Sequence, residues 1–370
     1  MLFQENAMSV MVVVYLVLGL VLLVAGADLL VRGASRLALR FGISPLLIGL
    51  TVVAFGTSAP ELAVSVQAGL AGQSGIAVGN IVGSNIFNVL MVLGVSALIT
   101  PLVVSQQLIR VDVPLVIGAS VLFLIMAFDG RIGLFDGLLL TGGIVAYIVF
   151  SIRQGRKESA AVQAEYAQDF GGEASRLLGQ LPVQIGLIVG GLVLLVLGAT
   201  WLVDSAVSIA RILGVSEVII GLTIVAAGTS LPELATSVVA AMRGERDIAV
   251  GNVIGSGLFN IFAIGGIAAM VTPGGLEVAP ALIRFDIPVM VAVALACLPI
   301  FATGHCIARW EGALFVGYYL AYVAYLVLAA TQHAALPAYS DAMLGFVLPL
   351  TAVTLVVLLA RQRAAMRVAP

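Results

Sequence analysis

The stretch Gly56-Thr57-Ser58-Ala59-Pro60-Glu61-Leu62-Ala63 returns 172 residues later as Gly228-Thr229-Ser230-Leu231-Pro232-Glu233-Leu234-Ala235. Outward from it, Gly42 to Gly94 aligns without gaps on Gly214 to Gly266, with about 29 of 53 pairs identical. The aligned region holds a second shared block, Gly79-Asn80-Ile81-Val82-Gly83-Ser84 against Gly251-Asn252-Val253-Ile254-Gly255-Ser256. Apolar sequence resembles apolar sequence by chance, but Thr, Ser, Pro, Glu and Asn repeated in register mark an internal duplication. A weaker likeness continues through Arg110-Val111-Asp112-Val113-Pro114 against Arg284-Phe285-Asp286-Ile287-Pro288, and through Phe135-Asp136-Gly137 against Trp310-Glu311-Gly312.

The medium around these repeats follows from composition. The 370 residues are 61% hydrophobic and only 10% charged, with 41 glycines and a mean hydropathy of +1.18, so lipid must cover most of the exterior. Apolar runs between charged or Pro/Gly-marked breaks predict eleven spans, at 8–39, 44–70, 75–99, 113–128, 133–152, 182–212, 216–242, 247–271, 285–302, 310–330 and 343–360. They consume nearly the whole chain, and no Gly-rich phosphate loop ending in Lys-Ser or Lys-Thr is present, so an ATP-driven pump is excluded and no nucleotide or nucleic-acid partner is expected. Met1 to Ala7 carries Glu5 and no Lys or Arg, so the first run reads as a mature span, not a signal peptide. Cys297 and Cys306 read as apolar fillers.

Because the two copies lie five crossings apart, they run in opposite directions through the bilayer. The expected fold is an all-α membrane protein of two inverted five-helix repeats, ten core transmembrane helices in all, with an eleventh helix at the C-terminus. Its units are 8–152, a cytoplasmic linker at 153–181, 182–330, and an accessory helix at 343–360. With the N-terminus outside, 14 of the 17 basic residues fall on the inner side, leaving only Arg131, Arg211 and Arg284 outside. The C-terminus is then cytoplasmic, in a plasma (inner) membrane. Inverted repeats with Gly/Pro-interrupted spans at matching positions are the pattern of secondary transporters, whose substrate site lies near the midplane.

Glu61 and Glu233 lie well inside apolar spans, where an ionised carboxylate is costly and usually serves an ion path or proton relay. On a helix, Thr57 and Ser58 share a face with Glu61, and Ala54 stands one turn before Ser58. Pro60 has no N–H to donate, which frees a backbone carbonyl near Gly56. Ala226, Thr229, Ser230 and Glu233 repeat the pattern. The following span adds a polar stripe, Asn80, Ser84 and Asn88, copied as Asn252, Ser256 and Asn260. An all-oxygen set of this kind suits hard cations such as Ca²⁺, Na⁺, Mg²⁺ or Mn²⁺, whereas zinc or copper would call for His or Cys. Taken singly, the Ser and Thr residues also fit bonds to their own preceding turn, and the Asn residues fit interhelical packing.

At these residues the chain resembles the sodium/calcium exchanger family of the cation/calcium antiporter superfamily, particularly its compact prokaryotic members. The resemblance covers roughly residues 8–330. It implies Glu61 and Glu233 as central ligands. It further implies cation contacts from Thr57, Ser58, Ser84 and Asn88, from their mates Thr229, Ser230, Ser256 and Asn260, and from the backbone carbonyls of Ala54 and Ala226. Two positions depart from the family pattern. Asn260 stands where similar sodium-coupled exchangers often carry an aspartate, and Gly257 stands where the mate of Asn85 would be. The expected activity is antiport of Ca²⁺ against Na⁺ by alternating access, with the transported ions as the only bound ligands and no cofactor. A proton-coupled exchanger of Ca²⁺ or another divalent cation, using the same glutamates, is the second expectation. An enzyme is not expected, since the chain lacks His-Glu-x-x-His and Gly-x-Ser-x-Gly.

Overall fold

The computed structural model describes residues 2–155, 180–354, 356, 357 and 360. Most of the predicted linker 153–181 and the tail arginines Arg361, Arg363 and Arg367 lie outside the described residues. In the first repeat, α1 (Leu2–Phe41) is followed by α2 (Pro45–Thr57), α3 (Ala59–Leu70), α4 (Ser74–Ile99), α5 (Leu108–Ala127) and α6 (Leu134–Gly155). In the second, α7 (Leu181–Ile212) is followed by α8 (residues 217–228), α9 (Leu231–Met242), α10 (Arg246–Val271), α11 (Leu282–Ala302) and α12 (Arg309–Ala330). A last helix, α13 (Leu336–Thr354), has no counterpart in the first repeat.

Nine helices among the described residues are long and apolar enough to cross a bilayer, and α2 with α3, bent by 44°, makes ten. The expected span 216–242 is instead two pieces, α8 and α9, interrupted at Thr229 and Ser230. Pro232, in the first turn of α9, has no N–H to continue the preceding ladder. The same chemistry bends the first repeat at Ser58, two residues before Pro60. The accessory helix begins seven residues earlier than the apolar run at 343–360 suggests, with Pro337 in its first turn. Arg110 and Asp112 lie in the π turn that opens α5, with Asp112 fully buried and accepting from the Tyr147 hydroxyl at 3.1 Å.

Six π-helical turns fall at matched places in the two repeats: Gly49–Val53, Asn88–Leu93 and Leu108–Asp112 against Gly221–Val225, Phe259–Gly265 and Leu282–Asp286. Each inserts a residue into a helix and re-aims the side chains that follow it. Two of these pairs flank the polar motifs.

At the centre stand α4 and α10, most of whose length is buried inside the protein. They are clasped by the broken helices, with α5, α6, α11 and α12 outside them. The long helices α1 and α7 pack along one another, crossing at two glycine pairs. A Cβ on Gly26 would lie 2.7 Å from the Gly191 carbonyl oxygen, and one on Gly198 would lie 2.7 Å from that of Gly19, so only glycine permits this approach. At 40 residues α1 is about 60 Å long, about twice the ~30 Å hydrocarbon core.

Two short antiparallel ladders tie the repeats together, β1 (Leu102–Val103) to β4 (Cys306–Ile307) and β2 (Arg131–Ile132) to β3 (Leu276–Glu277). Residues that the basic-residue count assigns to one face are neighbours in space. Asp28 on α1 pairs with Arg32 at 2.9 Å and with Arg243 at the end of α9, and Ser35 donates to Glu245 Oε1 at 2.6 Å.

Candidate cation site

Each broken helix places its Thr-Ser pair at the break, next to a glutamate in the first turn of the following piece. Glu61 and Glu233 are both fully buried, and they lie close enough to interact electrostatically. The hydroxyls cross between repeats. Ser58 donates to Glu233 Oε1 at 3.0 Å, and Ser230 donates to Glu61 Oε1 at 2.9 Å while also contacting Ser84 Oγ at 3.1 Å. Thr229 lies beside Glu61, and Thr57 and Ser256 lie beside Glu233. Each carboxylate is therefore held by the opposite half of the molecule.

The stripes on α4 and α10 divide into two roles. Asn80 donates to the Glu61 carbonyl at 3.1 Å and to Ser65 Oγ at 2.9 Å, while its own oxygen accepts from Thr229 at 3.2 Å. Asn252 matches it, donating to the Glu233 carbonyl at 3.4 Å and to Ser237 Oγ at 3.0 Å and accepting from Thr57 at 3.0 Å. These two amides are scaffolding, with both ends engaged. Asn88 and Asn260, two turns further on, are fully buried, and neither their oxygens nor their nitrogens have a hydrogen-bond partner. The Ser256 hydroxyl and the second carboxylate oxygens, Glu61 Oε2 and Glu233 Oε2, are likewise buried and unpartnered.

Burial of a polar atom without a partner costs roughly 1–3 kcal/mol, more for a charged one, so such atoms are rare unless something fills their valence. Here five oxygens, two of them from carboxylates, are buried and unpartnered, and the π turn that starts at Asn88 packs on the helix of Glu233 as the turn holding Asn260 packs on the helix of Glu61. Oxygens from carboxylate, amide and hydroxyl groups are the donor set of hard cations. Among the described residues no three His, Cys, Asp or Glu side chains cluster as a softer metal site would require.

The sequence-predicted set is thus largely brought together, with differences at the backbone positions. The Ala54 carbonyl accepts from the Ser58 N–H at 3.0 Å and is fully buried. In the second repeat the Ser230 N–H turns to Ala227 at 3.2 Å, and Ala226 is exposed. The residue pair that sequence reasoning passed over is Ser65 and Ser237. Each lies one turn beyond its glutamate and is identical in the two copies, which was the available signal.

The sequence profile described as "Sodium/calcium exchanger protein" matches residues 11–153 and 183–328, most of both repeats. The chain belongs to the sodium/calcium exchanger family. Among its family relatives, the sodium/calcium exchanger MaX1 of Methanosarcina acetivorans is 36% identical over 78% of this chain and 91% of its own length. The inner membrane protein YrbG of Escherichia coli is 37% identical over 77% of this chain and 87% of its own. The putative antiporter CaxA of Alkalimonas amylolytica is 39% identical over 71% of this chain and 81% of its own. A solved structure of the sodium-calcium exchanger NCX_Mj superposes with a TM-score of 0.72 at 32% identity, covering 86% of this chain and 99% of that one. As a family member with nine to ten apolar spanning helices among its described residues, the chain is a multi-pass membrane protein.

Proposed function

We propose that this chain is an antiporter that exchanges Ca²⁺ for Na⁺ by alternating access at the midplane site around Glu61 and Glu233. The observation that carries the reading is the group of unpartnered buried oxygens: Glu61 Oε2, Glu233 Oε2, Asn88 Oδ1, Asn260 Oδ1 and Ser256 Oγ. In a bilayer, where water cannot satisfy them, a cation is the partner that repays their desolvation. Thr57, Ser58, Thr229, Ser230 and Ser84 orient the carboxylates or complete the coordination, and the Ala54 and Ala226 carbonyls add backbone oxygens. Two carboxylates balance one Ca²⁺ or two Na⁺, so the two loads compete for the same charge. The exchange needs only that one ion displace the other before the site reopens. The similarity to MaX1 and NCX_Mj supports Na⁺ as the counter-ion. By the basic-residue count and the likeness to YrbG, the chain sits in the inner membrane with its N-terminus outside.

The test is Ca²⁺ uptake into proteoliposomes loaded with Na⁺ and diluted into Na⁺-free buffer, beside K⁺-loaded vesicles with and without an imposed pH gradient. Uptake that requires internal Na⁺ is the expected result. Uptake that follows only the pH gradient would assign the same carboxylates to proton coupling, the second reading, in which Asn260 in place of an acid leaves the two glutamates as the carriers. Uptake in neither arm would overturn antiport of Ca²⁺.

A further inference from the structure

A cavity of about 680 Å³ lies between α11, α12 and the accessory helix α13, reaching Leu90 of α4 at its inner wall. Its third wall has no counterpart in the first repeat, because α13 has no mate there. The accessory helix stands off the core across this space and is tied to it by two tyrosines: the Tyr339 hydroxyl donates to the Ala321 carbonyl at 2.8 Å, and Tyr318 meets Thr351 Oγ1 at 2.5 Å. Such a void between helices in a bilayer is a costly arrangement if empty, since its lining loses dispersion contacts. It is too apolar to hold ordered water.

The lining is graded from end to end. At the level where α11 and α13 begin, Arg284, Tyr325, Tyr339 and Ser340 line it. About 24 Å further along α11, by 1.5 Å per residue, it is closed by Ile300, with Leu314 and Ala352 opposite. That length exceeds the roughly 15 Å of hydrocarbon in one leaflet. Arg284 is the cation at the polar end; it is exposed and has no hydrogen bond or ion pair with the described residues. The acid two residues on, Asp286, accepts from the Tyr322 hydroxyl at 2.6 Å and forms no ion pair with Arg284. Phe285 stacks on Tyr325 with ring centroids 4.0 Å apart, which fixes the helix end that presents the guanidinium.

We propose that this cavity is a binding site for one glycerophospholipid of the surrounding leaflet, with its phosphate on Arg284 and an acyl chain running between α11, α12 and α13. Arginine matches a phosphate by paired charge-assisted hydrogen bonds, and the tyrosine hydroxyls lie at interfacial depth. The lipid supplies the packing that joins α13 to the core. Alkyl maltoside detergents lack the phosphate diester, and diacylglycerol has the same chains without it, so the two halves of the recognition separate experimentally.

Native mass spectrometry of the full-length protein, titrated with phosphatidylglycerol or with diacylglycerol of the same chains, tests the proposal. One phosphatidylglycerol should be retained, with diacylglycerol held about tenfold more weakly or worse. Arg284→Gln should weaken the phospholipid about tenfold, Ala296→Trp should fill the cavity and remove the adduct, and Arg131→Gln, an outer-face cation away from the cavity, should change nothing. Thermal unfolding adds a second measure, since the bound lipid should raise the melting temperature of the wild type but not of Ala296→Trp. Equal retention by wild type, Arg284→Gln and Ala296→Trp, or equal binding of diacylglycerol, would overturn the site, as would the absence of any adduct above detergent.

Discussion

Asn80 illustrates how little of this centre is free to change. Its amide bridges the Glu61 backbone, Ser65 and the opposite repeat's Thr229, so Asn80→Ala removes the partner of two buried polar groups and one half-buried one. It should lower stability by about 1–3 kcal/mol, readable as a lower melting temperature in detergent, and weaken apparent Ca²⁺ affinity in uptake assays. In the proposed site, Glu61→Gln would remove one of the two carboxylate charges available to a divalent cation at low dielectric, yet keep an acceptor for Ser230. Ca²⁺ uptake should fall on the order of 100-fold or more with the melting temperature nearly unchanged, and normal uptake would detach Glu61 from the transport path. The glutamates were legible in the sequence because a buried carboxylate repeated in register has few bland explanations. Ser65 and Ser237 were not, because a serine inside a helix ordinarily bonds its own preceding turn, and its spatial neighbour on α4 or α10 is set only by packing.

Among the elements, α1 shows where pH enters. Near its C-terminal end, Ser35 reaches Glu245 in the turn between α9 and α10, and burial pushes that carboxyl up to about 7, with Ser35 lowering it in part and Asp247 raising it further. A carboxyl raised in the folded state favours the folded contact in acid. The stabilisation is fully present below the ordinary carboxylate range and is lost as pH rises through about 7, since ionisation places charge on a carboxylate whose Oε2 is buried and unpartnered. Hydrogen exchange over residues 28–41, corrected for intrinsic rates, should show protection falling between pH 6 and 8 in the wild type and flat in Glu245→Gln. An equal fall in the variant would place the titrating group elsewhere. The helix breaks were only partly legible from Pro60 and Pro232, since Pro114, Pro288 and Pro299 lie within α5 and α11 without breaking them, and packing decides which proline marks a break. The six π turns were not, because an inserted residue leaves no compositional mark and is held in place by tertiary packing.

Taken whole, the molecule is symmetric in sequence and asymmetric in packing. A Cβ on Gly49 of α2 would sit 3.0 Å from the Ile248 carbonyl oxygen and one on Gly255 2.6 Å from that of Leu50, whereas their mates Gly221 and Gly83 have nothing within 4 Å. One half-helix is therefore pressed onto α10 while its counterpart, α8, stands clear of the glycines of α4. If the repeats exchange these packings during transport, Gly83→Ala fits the present arrangement and obstructs the reverse one. Such a protein should keep equilibrium Ca²⁺ binding while losing exchange by tenfold or more, and undiminished exchange would show that the two packings do not interchange. The ladders carry a longer consequence. The β1 partner is β4 and the β2 partner is β3, so equivalent segments pair reciprocally, as do the serines and glutamates. That is the isologous contact of a two-fold dimer, and a half-length ancestor inserting in both orientations would form every one of these bonds with a second copy of itself. Within one chain the two copies need not be alike. A Cβ at position 257 lies 3.1 Å from the Asn85 side-chain oxygen, so in this packing asparagine at both places would require a small displacement, whereas two identical copies could not keep Asn85 on one side and glycine on the other.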